Sequence, residues 1–476
     1  MKLSYHVSVL SLFIVFYLLM FKWFYPPMSG IEDEVGFINA ARMWDQGHLY
    51  LDQNAFKETP LADFFQIDDR WVTSRNPGRS LVIYPLIGTS WHDYLYGTGA
   101  GIHVVLTLIF AYLIKSMGIS PIYAILVLFH PTLAIYSRTI TADALAATFG
   151  LLMFVAYYQK RSPMMIGLFG GLAAISRYHG GIYLAVIFLL QWKRRDDWSS
   201  LAKTGAVGGG IAVMLFIYNC DVYGHPLGYT SALSAFSWIH LKHQLPFYGI
   251  SLTLLWPGML IAPFFVPKEL RFDLSLLLGT FTTFFLFYYY HDSRPSWLIT
   301  TVIGQRLFQV VLPLWILAYV VVADTLLKRF SKVGEKQILG LMMVVGIGLA
   351  VANGMVFDRH QRHLQRLEEM QHFLYEKLVP GSTLVGNASF HKLVAIPGPN
   401  DPIFRHTVYH YPDDRYDFLD LWKDDKPVYL GLYYRGKKDH EKIIADFGKN
   451  YVVEEIIDPF EELMVYRLYP LARANQ

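Results

Sequence analysis

The chain has 476 residues, of which 54% are hydrophobic, 16% aromatic and 17% charged. Soluble domains average about 25% charged residues, so charge is scarce here, and a net charge of +3 is too small to suggest nucleic acid. Cys220 is the only cysteine, which excludes an intramolecular disulfide framework and a thiolate metal cluster.

Charges are sparse up to Phe357 and dense beyond it. The pattern predicts a transmembrane helical body over 1–357 and a polar domain over 358–476. A spanning helix needs about 20 mostly apolar residues. The first apolar run, 7–25, lacks a small-residue cleavage site, and Lys22-Trp-Phe-Tyr-Pro-Pro27 reads as an interfacial anchor. It is therefore expected to be a retained span, not a signal peptide. Further runs lie at 94–114, 121–137, 141–158, 164–176, 180–192, 204–219, 247–266, 272–290, 307–327 and 338–357, about eleven spans in all. The two short runs 164–176 and 180–192 are read as a pair joined by a turn; one bent helix there would reverse the sidedness of everything downstream.

Charge placement supports that alternation. With the N-terminus cytoplasmic, the inner loops hold Lys115, Lys160-Arg161, Lys193-Arg-Arg195 with Lys203, Lys268 and Arg271, and Lys328-Arg329 with Lys332 and Lys336. Each carries Lys or Arg close to the membrane, as the positive-inside rule requires. The loop 29–93 and the tail then lie outside, and a bacterial plasma (inner) membrane is the preferred location. The tail opens with a helical pattern over 358–378, continuous with the last span. Short β-like runs at 383–385, 428–433 and 463–468 and a helix over 440–447 complete a small α/β domain.

The outer loop begins with Glu32-Asp33-Glu34. Phe37, Ala40, Ala41 and Trp44 follow at the spacing of one helical face, which predicts an interfacial helix over 33–46 with Asn39, Arg42 and Gln46 largely off the stripe. Asp33 shares the stripe's side, and Glu34 is rotated by about 100° from it. Acidic residues in a first turn favour the helix dipole; a carboxylate at a membrane surface can also serve as general base toward a hydroxyl. Both readings stand on these residues alone.

Arg75 and Arg79, in Ser74-Arg-Asn-Pro-Gly-Arg-Ser80, have the chemistry to hold phosphate oxygens bidentately, or to decorate a surface loop. Asp143, in Ser137-Arg-Thr-Ile-Thr-Ala-Asp143, reads as a helix-start residue, with a second acidic site residue as the alternative. Ser176-Arg-Tyr-His-Gly-Gly181 sets Arg177, Tyr178 and His179 in a tight turn at membrane level, where charge is costly unless paired or facing a wet cavity. His291, Asp292 and Arg306 bracket the last outer loop. His240, His243, His291 and Asp292 are possible metal ligands, but no pair has a diagnostic spacing, and a metal is left open.

A first span, Asp33-Glu34 opening a helix with Ala40-Ala41-x-x-Trp44-x-x-Gly47, and a long outer loop resemble the GT-C superfamily of membrane glycosyltransferases. The similar branch includes the protein O-mannosyltransferases and the lipid A aminoarabinose transferases. The resemblance implies a polytopic helical bundle that moves a hexose or pentose from a polyprenyl-phosphate carrier to a cell-surface glycan, lipid or protein, with inversion. It implies Asp33 as the catalytic base with Glu34 as its neighbour, and Arg75, Arg79, Arg177 and Arg306 at the donor phosphate. Tyr178, His179, His291 and Asp292 would bind substrate, and membrane lipids rather than nucleic acid would be its surroundings. The segment around Arg75 lacks the Lys-Pro-Pro form of some members. The rival reading is a polytopic transporter or sugar-lipid flippase; the large outer loop, the outer tail and the expected absence of paired broken helices stand against it.

Overall fold

Hydrocarbon offers no hydrogen bonds to a backbone, so apolar runs of this length have to satisfy their peptide groups as helices. The computed structural model describes residues 2–52, 64–67, 69–73, 75–91, 94–228, 236–288, 305–330, 334–386, 390, 393, 407–410, 427–433, 437–456, 460 and 463–470. The chain divides into two compact units, Met1–Tyr25 with Asn76–Arg359, and Pro26–Arg75 with His360–Gln476. The first outer loop therefore splits, its larger part grouping with the tail residues.

The first unit holds α1 (Lys2–Trp23), α3 (Pro77–Ile83), α4 (Gly97–Ser116), α5 (Ile125–Leu128), α6 (Pro131–Tyr136), α7 (Asp143–Tyr158), α8 (Pro163–Ser176), α9 (Gly181–Lys193), α10 (Trp198–Tyr223), α11 (Leu241–Leu255), α12 (Lys268–Phe287), α13 (Leu312–Phe330) and the first part of α14 (Glu335–Lys377). Five stretches among the described residues are long and apolar enough to cross a bilayer: Tyr5–Trp23, Gly97–Ser116, Trp198–Tyr223, Lys268–Phe287 and Glu335–Lys377. Two expected spans are broken. The run 121–137 becomes a 3-10 turn, α5, a break at His130 and then α6, because Pro131 lacks an N–H and drives His130 to an extended ψ of 122°. The run 247–266 ends as a helix at Leu255, before Pro257 and Gly258, the latter at φ +89°. The expectation of unbroken helices fails at these two places, and broken helices are compatible with a transporter as well.

α8 and α9 form the expected pair. Arg177 is extended, a 3-10 turn covers Tyr178–Gly180, and the chain folds back. A Cβ on Gly180 would collide with the carbonyl of Ala173, so this reversal needs glycine. α9 runs antiparallel to α12. Arg194, just past the end of α9, pairs with Asp273 near the start of α12, while His179, before α9, meets the rings of Phe284 and Phe285 near its end, at 6.0 and 5.3 Å.

The second unit contains α2 (Glu32–Asp45) and a sheet of order β1-β3-β2, built from Leu51–Asp52, Phe64–Ile67 and Arg70–Thr73 and antiparallel throughout. A five-stranded sheet follows, in the order β5-β4-β6-β8-β7. Its strands are β4 (Thr383–Gly386), β5 (Thr407–His410), β6 (Val428–Tyr433), β7 (Tyr451–Ile456) and β8 (Leu463–Pro470), with α15 (Lys437–Phe447) between β6 and β7. β6 is buried at every position, as suits a central strand covered on both faces. Leu364, Met370 and Leu374 of α14 share a core with Leu384, Tyr429 and Val465 of the sheet.

α2 departs from the amphipathic expectation. Phe37, Ala40 and Ala41 of its stripe are buried and Trp44 is half-buried, but Asn39 and Arg42 are buried as well, leaving Gln46 as the exposed one of the three polar residues read off the stripe.

Candidate functional site

The first candidate group gathers around Asp143, the first residue of α7, where the exposed N–H groups of a helix start favour negative charge. Its side chain is fully buried. Arg177, from the α8–α9 turn, donates from Nε to Oδ1 and from Nη2 to Oδ2, both at 3.0 Å, a two-pronged fork. Arg306 brings its Nε to 3.6 Å from Oδ2, and its guanidinium lies 5.8 Å from the centre of the Tyr136 ring. His179 Nε2 stands 3.9 Å from Oδ1. Arg177 and Arg306 remain 19% and 14% exposed, so both keep a face that a ligand can reach.

The electrostatics follow from that geometry. Burial, and then the charge of Arg177, hold the His179 imidazole far below its ordinary range, at about 3, so it is neutral at physiological pH. Burial alone lowers the Arg306 guanidinium to about 10, which leaves it charged. Burial also works against the charge on Arg177, but the Asp143 carboxylate outweighs it and raises its pKa. Among the described residues, the guanidiniums of Arg177 and Arg306 both face the one carboxylate of Asp143 at the end of a helix bundle.

Other basic residues are used differently. Arg138 is fully buried and donates from Nε to the carbonyl of Phe24 and from Nη1 to that of Phe357, each at 3.1 Å. The Phe24 carbonyl is one that the end of α1 leaves without a helical partner, while Phe357 lies within α14. Arg79, also fully buried, donates to Thr98 Oγ1 at 2.7 Å. Tyr178 turns its hydroxyl to Asn219 of α10, at 3.4 Å.

The second candidate group lies in the other unit. Arg75 Nη2 is 2.9 Å from Asp33 Oδ1, with side chains 18% and 17% exposed. Glu34 is buried, and its Oε2 accepts from the N–H groups of Gly30 at 2.7 Å and Ile31 at 3.1 Å. That is the reach of a capping acid from the third helical position back to the residue before the helix. The capping role read for the acidic triplet thus falls to Glu34.

Of the residues singled out from sequence, Arg177, His179 and Arg306 meet around Asp143, and Arg75 meets Asp33. His291 and Asp292 lie outside the described residues. Among the described residues no group of three or more His, Cys, Asp or Glu side chains could hold a metal ion. Asp143, favoured as a helix-start residue, is that and also the partner of Arg177. The available signal was Arg177 itself, whose charge at membrane depth calls for a carboxylate. Gln305 and Gln309 were not foreseen; both are fully buried beside Arg306 in sequence, and their amide atoms have no hydrogen-bond partner among the described residues.

Two solved structures are similar over nearly the whole chain. ArnT from Cupriavidus metallidurans bound to undecaprenyl phosphate matches with a TM-score of 0.62 at 13% identity, over 97% of this chain and 98% of that one. The apo state of ArnT from the same organism matches with a TM-score of 0.59 at 12% identity, over the same shares. No family model matches the sequence, and no curated protein matches it. At this identity the likeness establishes the fold alone: a mainly helical fold shared with these two structures.

Proposed function

We propose that this protein is an integral membrane glycosyltransferase that takes a hexose or pentose from a polyprenyl-phosphate carrier. The acceptor is a cell-envelope glycan, lipid or protein at the outer face of a plasma membrane. The observation that carries the reading is the partly exposed pair Arg177 and Arg306 on buried Asp143, within a fold shared with a protein solved bound to undecaprenyl phosphate. Two partly exposed guanidiniums held together in a water-poor site are suited to the phosphate of a lipid-linked donor. Fixed charge there stabilises the leaving phosphate as the glycosidic bond breaks, the kind of term that dominates many enzymatic accelerations.

In this reading Arg177 and Arg306, with Arg75 as a further basic residue, serve the donor phosphate, and fully buried Arg79, donating to Thr98, adds its charge without touching it. Asp33, positioned by Arg75, takes the proton of the acceptor hydroxyl as its oxygen attacks the anomeric carbon from the face opposite the phosphate. The new C–O bond forms as the old one breaks, and the configuration inverts. Neutral His179 is a hydrogen-bonding group for the sugar. Glu34 keeps the helix start in place, and the C-terminal α/β domain, outside with the first outer loop, meets the acceptor. About eleven spans, counting short and broken ones, make the body.

The broken segments at His130 and Pro257 also suit a flippase. One experiment separates the two. The purified protein in liposomes is given radiolabelled polyprenyl-phosphate sugars and membrane glycan acceptors, beside an Asp33→Asn variant. Transfer by the native protein and a loss of about 100-fold or more in the variant are expected. Undiminished transfer in the variant refutes Asp33 as the base. Absence of transfer with every donor, together with movement of the sugar-lipid across vesicles, refutes the transferase reading.

A further inference from the structure

α9 has a second charged end. Its start adjoins the turn that brings Arg177 and His179 to Asp143, and its last residue, Lys193, lies 13 residues on, about 20 Å along the axis. There, between α9 and the beginning of α12, a groove of about 490 Å³ opens. Its bed is apolar, with Leu189, Phe272 and Leu276, and its rim carries Trp192, Lys193 and Arg195. The volume falls within the roughly 300–1,000 Å³ of ligand pockets.

Four details distinguish this rim from an ordinary basic loop. Arg194 is withdrawn from it, because it pairs with Asp273, which also accepts from Tyr157 Oη at 3.1 Å. Asp197 is engaged in starting α10, accepting from Ser200 N at 3.2 Å, while Asp196 is exposed to water. Lys193, by contrast, sits over the groove's own wall, its Nζ 3.1 Å from the centre of the Phe272 ring. Arg195 closes α9 with a left-handed φ of 58°, a conformation that side-chain-bearing residues seldom adopt. Leu189, Phe272 and Trp192 are 49%, 47% and 60% exposed, so the groove is open along its length to whatever surrounds the bundle.

We propose that this groove binds an anionic phospholipid. One acyl chain lies along Leu189, Phe272 and Leu276, the phosphate lies between Lys193 and Arg195, and Trp192 sits at headgroup level. Charge complementarity selects the occupant: two cations above an apolar bed match a single-phosphate lipid with a net negative headgroup, and basic pockets between spans are recognised sites for such lipids. The site is distinct from the donor-phosphate cluster, which lies at the other end of α9. The inference rests on the membrane reading of the chain and not on sugar transfer.

The test is native mass spectrometry of the full-length protein, titrated with dioleoyl phosphatidylglycerol and, separately, with dioleoyl phosphatidylcholine. The native protein is expected to bind the anionic lipid more tightly by on the order of 25-fold, given roughly fivefold for each of the two membrane-proximal cations. The double variant Lys193→Gln/Arg195→Gln is expected to bind both lipids alike. Leu276→Trp, which fills the bed and keeps the charges, is expected to weaken both. Equal binding of the two lipids by the native protein overturns the proposal, as does a preference that survives the double variant. Loss of sugar transfer has no bearing on this readout, so the two proposals fail separately.

Discussion

Replacing Asp143 by Asn tests the logic of the buried cluster most directly. The substitution keeps the side chain's shape and one acceptor oxygen, but removes the negative charge facing Arg177 and Arg306. Removing one partner of a buried ion pair costs about 3–5 kcal/mol, because the other charge stays behind uncompensated. Two features move this case to the low end. The amide oxygen still accepts one of the two hydrogen bonds from Arg177, and the guanidiniums are 19% and 14% exposed, so water relieves part of the loss. A cost of about 3 kcal/mol follows, or a lowering of the melting temperature by roughly 3 °C for a chain of this length at a fixed scan rate. The assay is thermal unfolding of the detergent-solubilised protein, with and without undecaprenyl phosphate. Under the proposed reading the lipid phosphate is a replacement anion; a lipid concentration of about 100 times the native dissociation constant returns about 2.7 kcal/mol to the native protein, and more to a variant that binds the anion more tightly. The variant should therefore be stabilised more by the ligand than the native protein is. A variant that melts within about 1 °C of the native protein refutes the buried-pair argument. Weaker stabilisation of the variant by the lipid refutes the phosphate assignment.

Glu34→Ala removes the acceptor for the Gly30 and Ile31 N–H groups and should destabilise by about 1 kcal/mol, read by chemical denaturation, whereas Glu34→Gln keeps most of the cap. A Glu34→Gln variant as destabilised as Glu34→Ala would show that the carboxylate acts otherwise. His179 has a folded pKa of about 3 against an ordinary value of 6.5, so the native state binds fewer protons than the unfolded chain between those values. Stability is thus expected to fall as pH drops below about 6.5, and His179→Gln should flatten that part of a melting-temperature profile while leaving the region above pH 7 unchanged. An unchanged acid limb would mean that His179 is not held neutral.

Much of the membrane body was legible because hydrocarbon enforces a simple rule: an apolar run must become a helix. α1, α4, α10, α12 and α14 lie where their runs are, and the helix read over 358–378 is the second half of the 43-residue α14. The breaks at Pro131 and Pro257 were lost because hydropathy is judged over a window, while a proline acts at one peptide. In the tail, β4, β6 and β8 were read from β-branched and aromatic residues, whereas β7 was not, because its Glu454-Glu455 interrupts the apolar alternation. The site divides the same way. Arg177 and Arg306 stood out as charges at the membrane boundary, a local signal. Their gathering around Asp143 was not legible, because that carboxylate lies 34 residues from Arg177 in sequence and only the packing of α7 against the α8–α9 hairpin joins them. The choice between Asp33 and Glu34 turned on a three-residue capping reach that the apolar stripe does not report.

The distribution of buried polar groups carries the argument one step further. A structural arginine in this bundle is satisfied by backbone: Arg138 donates to the carbonyls of Phe24 and Phe357. The same treatment is withheld around Arg306. Its sequence neighbours Gln305 and Gln309 are fully buried, and neither amide finds a hydrogen-bond partner among the described residues. A buried polar group left without a partner costs about 1–3 kcal/mol, so two such amides, Gln305 just before and Gln309 within the 3-10 turn Arg306–Val310, are not the economy of a mere scaffold. The segment that holds them also delivers Arg306 to Asp143 and to the ring of Tyr136, which belongs to α6, just beyond the break at His130. Irregular backbone at membrane depth is tolerated where it is buried in protein or lines a wet cavity. Under the proposed function both oddities have one cause: a polar substrate, or the water that precedes it, supplies the hydrogen bonds that the Gln305 and Gln309 amides do not find among the described residues.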